Sequence, residues 1–96
     1  MPTQIATLTV KEGMMEDALA VLREIVTQVR ENEPGIQAYI PHTVAGDGNE
    51  NMIIFYEKYE DEDALQAHMA QLRTTLADIM PLLEPGFDLK VCTEII

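Results

Sequence analysis

The sequence contains few of the residues that disulfide-linked and metal-binding proteins need. It has no tryptophan, one cysteine (Cys92) and two histidines among its 96 residues. A single cysteine excludes a disulfide within the chain and fits the reducing cytoplasm, where we expect the protein to reside. Two histidines without a cysteine pair are too few ligands for an ordinary zinc or iron site, so we expect no bound metal.

Basic residues and long apolar runs are scarce as well. Six lysines and arginines are outnumbered by 17 acidic residues, which gives a formal net charge of −11. Such a chain lacks a positive patch, so we expect neither nucleic acid nor a membrane surface as a partner. The longest apolar run has about five residues, whereas a helix needs about 20 to cross a bilayer. The opening MPTQIATL has neither the basic nor the apolar region of a secretory signal.

The periodicity of apolar residues predicts one α+β domain over residues 1–96. Alternation predicts strands over 4–10, 36–44, 52–59 and 87–96. A 3.6-residue period predicts helices from Met14 to about Asn32 and from Asp61 to about Leu83, with a break near 71–74. The order β-α-β-β-α-β is typical of ferredoxin-like folds, in which four antiparallel strands carry two helices on one face.

The third strand predicts a homodimer because it is apolar on both sides. Residues 52–56, MIIFY, do not alternate as an antiparallel strand with one wet face should. We expect two copies to pack through the open sheet face, burying roughly 800 Å² on each partner. Tyr39 and Tyr56 are expected at this interface.

A histidine within an apolar helix stripe indicates a candidate site. His68 shares its face with Leu65 and Leu72 at helical spacing, and Glu57 and Tyr59 share a strand face with Phe55. The second-strand residues expected to face the helices share one parity: Ile36, Ala38, Ile40, His42 and Val44.

We therefore predict that four polar residues meet in one apolar pocket as the catalytic group: His68, His42, Tyr59 and Glu57. The predicted lining is Phe55, Ile40, Leu65 and Leu72. An imidazole that titrates near neutrality suits proton transfer, and Glu57 could fix its tautomer. The alternative interpretation is that His68 is a core residue paired to Glu57 for stability.

The stretch IIFYEKYEDEDALQAHM resembles the antibiotic biosynthesis monooxygenase (ABM) domain of the dimeric α+β barrel superfamily. The similarity extends over the chain through LTVKEG and ENEPGIQAY. Glu57 matches the family's common strand carboxylate, Asp61–Asp63 its acidic helix start, and His68 its common helix histidine. Polyketide-oxidising members have a histidine at the position of His42, but also an asparagine where this chain has Phe55.

The resemblance implies a homodimer with a small apolar cavity in each protomer. Several members oxidise quinols or anthrone-type phenols with molecular oxygen and no metal or flavin, so no cofactor is expected. Haem-degrading members need an asparagine near Ala6, which is absent. We predict a cofactor-independent monooxygenase acting on a quinol or related phenolic, polyketide-like molecule. The alternatives are a non-catalytic dimeric module that binds a small apolar ligand or serves a stress response, and a proton-transfer isomerase.

Overall fold

A computed structural model describes all residues, Met1–Ile96, and confirms the ferredoxin-like α+β fold. The four strands are β1 (Pro2–Thr9), β2 (Ile36–Thr43), β3 (Met52–Tyr59) and β4 (Asp88–Thr93). The helices are α1 (Met15–Asn32), α2 (Glu62–Ala70) and α3 (Leu72–Thr75), followed by a 3₁₀ turn at Met80–Leu82. The strands form one antiparallel sheet in the order β2-β3-β1-β4, with the helices on one face. No helix has the length and apolar character required to span a bilayer.

Helix boundaries follow from local chemistry. Helix α1 buries an apolar stripe and carries Glu16 and Asp17 in its first turn, where the helix dipole favours negative charge. Asp61 caps the start of α2, and its Oδ1 accepts a hydrogen bond from the Ala64 amide at 2.8 Å. The predicted second helix is interrupted at Gln71, as expected, and only the short helix α3 and the 3₁₀ turn lie between this break and β4.

A β-bulge in β2 overturns the predicted parity of that strand. Ile36 pairs with Tyr59, but Ala38 pairs with Lys58, so one extra residue is accommodated between Ile36 and Ala38. A slip of one residue moves every later side chain to the opposite face. Tyr39 therefore faces the helices and is buried, which corrects its expected place at the interface.

The open face of the sheet carries a row of large apolar residues. Tyr56 on β3 lies between Ile5 on β1 and Ile40 on β2, and the bulge has turned Ile40 to this face instead of the predicted pocket. The side chains of Tyr56 and Ile40 are 36% and 40% exposed in a single protomer. Such a patch is larger than isolated surface residues would make and is typical of an interface.

Gly35 sets the distance between the start of β2 and helix α2. Its carbonyl accepts a hydrogen bond from the Glu60 amide at 2.9 Å, and a Cβ at this position would lie 2.7 Å from the Ala64 Cβ. We expect Gly35→Ala to lower the free energy of unfolding by about 1–3 kcal/mol, as overpacking does elsewhere. Urea denaturation measures this change.

Ala64→Gly provides the matched control, because it removes the methyl group that Gly35→Ala would strike. In a double-mutant cycle, the double variant should lose less free energy of unfolding than the two single variants together, by about 1 kcal/mol or more. Strictly additive effects would contradict the predicted contact.

Candidate functional site

Three polar side chains form one row across the helix-facing side of the sheet. Glu57 on β3 pairs directly with Gln4 on β1 and with Tyr39 on β2. All three side chains are buried, and their neighbours Ala6 and Phe55 on the same face of the sheet are apolar. A buried polar row in an apolar layer is costly unless its members bond to one another.

Glu57 is the acceptor at the centre of this row. Gln4 Nε2 donates to Glu57 Oε1 at 2.9 Å, and the Tyr59 hydroxyl donates to the same oxygen. Burial nevertheless raises the pKa of Glu57 above its ordinary value, with the Tyr59 hydrogen bond and His68 partly offsetting that effect. Burial and the Glu57 charge also raise the pKa values of Tyr39 and Tyr59, so both phenols remain protonated donors at physiological pH.

His68 projects from α2 onto the row and lies between two carboxyl groups. Its Nδ1 is 3.0 Å from Glu33 Oε1, and its Nε2 is 3.8 Å from Glu57 Oε1. The ring packs against Tyr39 and Tyr59, with centroid distances of 5.2 and 5.7 Å. The distance to Glu57 is too long for a hydrogen bond. The carboxylate in position to fix the tautomer is therefore Glu33, which corrects the expectation that Glu57 would do so.

Two buried polar atoms beside Glu57 have no hydrogen-bond partner in the protein. They are Gln4 Oε1 and His68 Nε2. Buried groups of this kind are rare in folded proteins, because each one loses its bonds to water without replacement. Gln4 Oε1 can therefore accept a hydrogen bond from a hydroxyl group of a bound molecule.

A small apolar cavity lies against this row. Its polar lining is Gln4, Glu57 and Tyr39, and its apolar lining includes Phe55 and Leu72. The cavity volume is about 10 Å³, close to the least that admits one water molecule. A larger guest must displace lining side chains.

A sequence comparison identifies the family to which the chain belongs. The model of the family described as antibiotic biosynthesis monooxygenase matches residues 1–78. The chain belongs to the antibiotic biosynthesis monooxygenase family. No curated protein matches it.

Solved structures agree with this assignment at the level of the fold. A Caulobacter crescentus CB15 protein superposes with a TM-score of 0.83 at 21% identity, covering 99% of this chain and 90% of that one. An antibiotic biosynthesis monooxygenase superposes with a TM-score of 0.81 at 21% identity over 100% of both chains. PA3566 from Pseudomonas aeruginosa gives 0.76 at 22% identity, covering 99% and 94%. Similarity at these identities concerns the fold alone.

Within this antibiotic biosynthesis monooxygenase fold, only some of the residues predicted for the site come together. One cluster contains Glu57, Tyr59 and His68. The Tyr59 hydroxyl donates a hydrogen bond to Glu57, and His68 Nε2 lies 3.8 Å from Glu57 Oε1. Phe55 and Leu72 line the cavity as expected. Leu65 is buried on the same helix as His68 but does not line the cavity.

His42 does not join the cluster. It pairs with Ile54, whose side chain lies on the open face of the sheet, and it is exposed there. The prediction that His42 and Ile40 share the pocket is wrong, because the bulge before Ala38 reverses their parity. No group of three or more His, Cys, Asp or Glu side chains is arranged to hold a metal ion.

Three residues of the site were not predicted from the sequence: Gln4, Glu33 and Tyr39. Gln4 carried a usable signal, because it precedes the buried residues Ala6 and Leu8 in the same alternating row of β1. Glu33 follows α1 as its C-cap, and no periodic pattern points to it.

Proposed function

We propose that the protein is a cofactor-independent monooxygenase that oxidises a quinol or a related phenolic, polyketide-like molecule with molecular oxygen. The observation that supports this most is the buried Glu57 carboxyl group on the wall of an apolar cavity, flanked by the unpartnered Gln4 Oε1 and His68 Nε2. Such a site combines a proton acceptor, an acceptor for a substrate hydroxyl and apolar walls suited to an aromatic ring.

For an anthrone-type substrate the proposed reaction begins with proton transfer to Glu57. The resulting anion is electron-rich enough to transfer one electron to O₂, and the two radicals then join through a new carbon–oxygen bond. The peroxide takes back the proton and eliminates water, leaving a carbonyl group. One oxygen atom thus ends in the product and the other in water, and exclusion of bulk water protects the intermediates.

In this proposal each polar residue of the site has a role set by its position. Glu57 accepts the proton, and its raised pKa brings it closer to the pKa of a phenolic or enolic substrate. Gln4 Oε1 accepts a hydrogen bond from a substrate hydroxyl other than the group that loses its proton. Tyr59 remains a donor to Glu57, and His68 Nε2, 3.8 Å from Glu57 Oε1, receives the proton when the two groups approach.

We also propose that the protein functions as a homodimer through the open sheet face. The apolar row of Ile5, Tyr56 and Ile40 supports this, because a stable soluble protein does not usually leave such a row in water. An isologous pairing would cover it on both copies at once.

Oxygen uptake by metal-stripped protein, measured with a panel of quinols and anthrones, tests the proposed activity. At least one compound should be consumed about 100-fold or more faster than in buffer, as general base catalysis predicts. With ¹⁸O₂, mass spectrometry should find one labelled oxygen atom in the product.

The two histidines supply matched variants for this assay. His68→Phe should abolish uptake, whereas His42→Gln should retain it, because His42 lies on the other face of the sheet. Absence of uptake with every compound of the panel would contradict the proposed activity.

A second candidate is a non-catalytic module that binds a small apolar ligand. The small volume of the cavity, about 10 Å³, favours it, because an enzyme site usually holds its substrate in a preformed pocket. Saturable binding of a quinol without oxygen uptake would support this alternative.

A further inference from the structure

The His68 ring is held on its outer side by a carboxylate that the proposed reaction leaves unused. Glu33 follows the last residue of α1, and its Oε1 lies 3.0 Å from His68 Nδ1. The side chain of Glu33 is 16% exposed, whereas that of His68 is 1% exposed. Glu33 also lines surface grooves beside α1 and α2, so water reaches its carboxylate but does not reach the ring.

This arrangement decides which ring nitrogen carries the proton. A carboxylate beside one nitrogen of a neutral imidazole keeps the hydrogen on that nitrogen, which leaves the other nitrogen as an acceptor. Glu33 contacts Nδ1, and Nε2 has no partner, although it lies 3.8 Å from Glu57 Oε1.

The groups around the ring also favour a hydrogen on Nδ1. The titratable groups that face it are Glu33 from the end of α1, Tyr39 from β2, and Glu57 and Tyr59 from β3. The two phenols remain neutral, so only the two carboxyl groups compete for the ring hydrogen. Glu33 is the closer of them, because its Oε1 lies 3.0 Å from Nδ1 whereas Glu57 Oε1 lies 3.8 Å from Nε2.

We propose that Glu33 is a positioning residue that fixes His68 as the Nδ1–H tautomer and thereby makes Nε2 the atom that exchanges a proton with Glu57 once a ring movement shortens their 3.8 Å separation to hydrogen-bond distance. In this step the O–H bond of protonated Glu57 breaks and an N–H bond forms at Nε2. The imidazolium then lies between two carboxylates, and the reverse transfer returns the proton for peroxide protonation. The use of this step in turnover rests on the proposed monooxygenase function, whereas the tautomer does not.

Two-bond ¹H–¹⁵N correlation spectra of the imidazole rings test the assignment in the intact protein. The chain has two histidines, so His42→Gln identifies the signals of His68. We expect neutral His68 to carry its hydrogen on Nδ1. Glu33→Met keeps the length of the side chain and removes the acceptor, so the Nδ1–H form should fall to a minor population as Nε2–H turns to Glu57.

Glu31→Met is the matched control, because Glu31 is an exposed residue near the end of the same helix. It should leave the His68 spectrum unchanged. A hydrogen on Nε2 in the wild-type protein, or an unchanged tautomer in Glu33→Met, would overturn the proposal whether or not the protein consumes oxygen. Where a substrate is identified, Glu33→Met should lower turnover by about 10²-fold, the lower end of what acid–base catalysis contributes.

Discussion

Glu57→Gln should remove turnover and, at pH 7, stabilise the fold. Glutamine keeps the shape of the side chain and can still accept hydrogen bonds from Gln4 and Tyr59, but it cannot take up a proton. We expect turnover to fall by about 10²- to 10⁴-fold, the usual contribution of a general base. The free energy of unfolding should rise by about 1 kcal/mol, since a buried charge is replaced by a neutral group.

The gain in stability should depend on pH in a defined direction. Because burial raises the pKa of folded Glu57 above its unfolded value of about 4.5, its contribution to stability is fully present below pH 4.5. The contribution is lost as the pH rises through the folded pKa. Wild type and Glu57→Gln should therefore be similarly stable in acid and diverge towards pH 7, as urea denaturation at several pH values would measure.

An exposed carboxylate provides the control for this comparison. Glu84→Gln makes the same change of charge at an exposed site and should alter neither turnover nor the pH dependence. If Glu57→Gln were instead less stable than wild type at pH 7, the attraction between Glu57 and His68 would outweigh the burial of charge. The predicted gain in stability would then be wrong, whereas unchanged turnover in Glu57→Gln would contradict the proposed role of Glu57 as a base.

Tyr56→Asp should convert a dimer into a folded monomer. Tyr56 is at the centre of the apolar row on the open face, between Ile5 and Ile40. An unpaired carboxylate buried there would cost several kcal/mol. Since about 1.4 kcal/mol is a factor of ten, the dissociation constant should rise at least about 100-fold. Sedimentation velocity over a range of protein concentrations measures it.

The folded monomer should survive, because Tyr56 contributes nothing to the helix-facing core. Ala20→Asp adds the same charge on the exposed side of α1 and should leave the dimer intact. A wild-type protein that sediments as a monomer at high concentration, or a Tyr56→Asp variant that remains dimeric, would contradict the proposed interface.

The sequence predicted the order of the elements well because long periodic segments carry that information. The 3.6-residue stripe of α1 and the acidic start of α2 correspond to observed structure. The two faces of β2 could not be assigned correctly, because alternation counts residues and a bulge adds one without any mark in the sequence. Pro41, which cannot donate a hydrogen bond to a neighbouring strand, fits the position of β2 at the edge of the sheet.

The candidate site was predictable where it lies on a regular element. His68 and Glu57 were found by their places on an apolar helix face and a buried strand face. Tyr39 was assigned to the wrong face because of the bulge, and Glu33 lies in a connection whose course is set by tertiary packing. The contact between Gly35 and Ala64, which brings that connection to α2, depends on residues that are far apart in the chain.

The small size of the cavity has a consequence for selectivity. Its lining includes Leu72, Leu76 and Phe87, all from the part of the chain after α2, which has only one short helix and a 3₁₀ turn before β4. A guest larger than water requires lining side chains such as these to move. Its apparent dissociation constant is then the intrinsic constant divided by the fraction of molecules that are open. Under the proposed function, selectivity between ligands would therefore depend both on hydrogen bonds to the polar row and on the free energy needed to move these side chains.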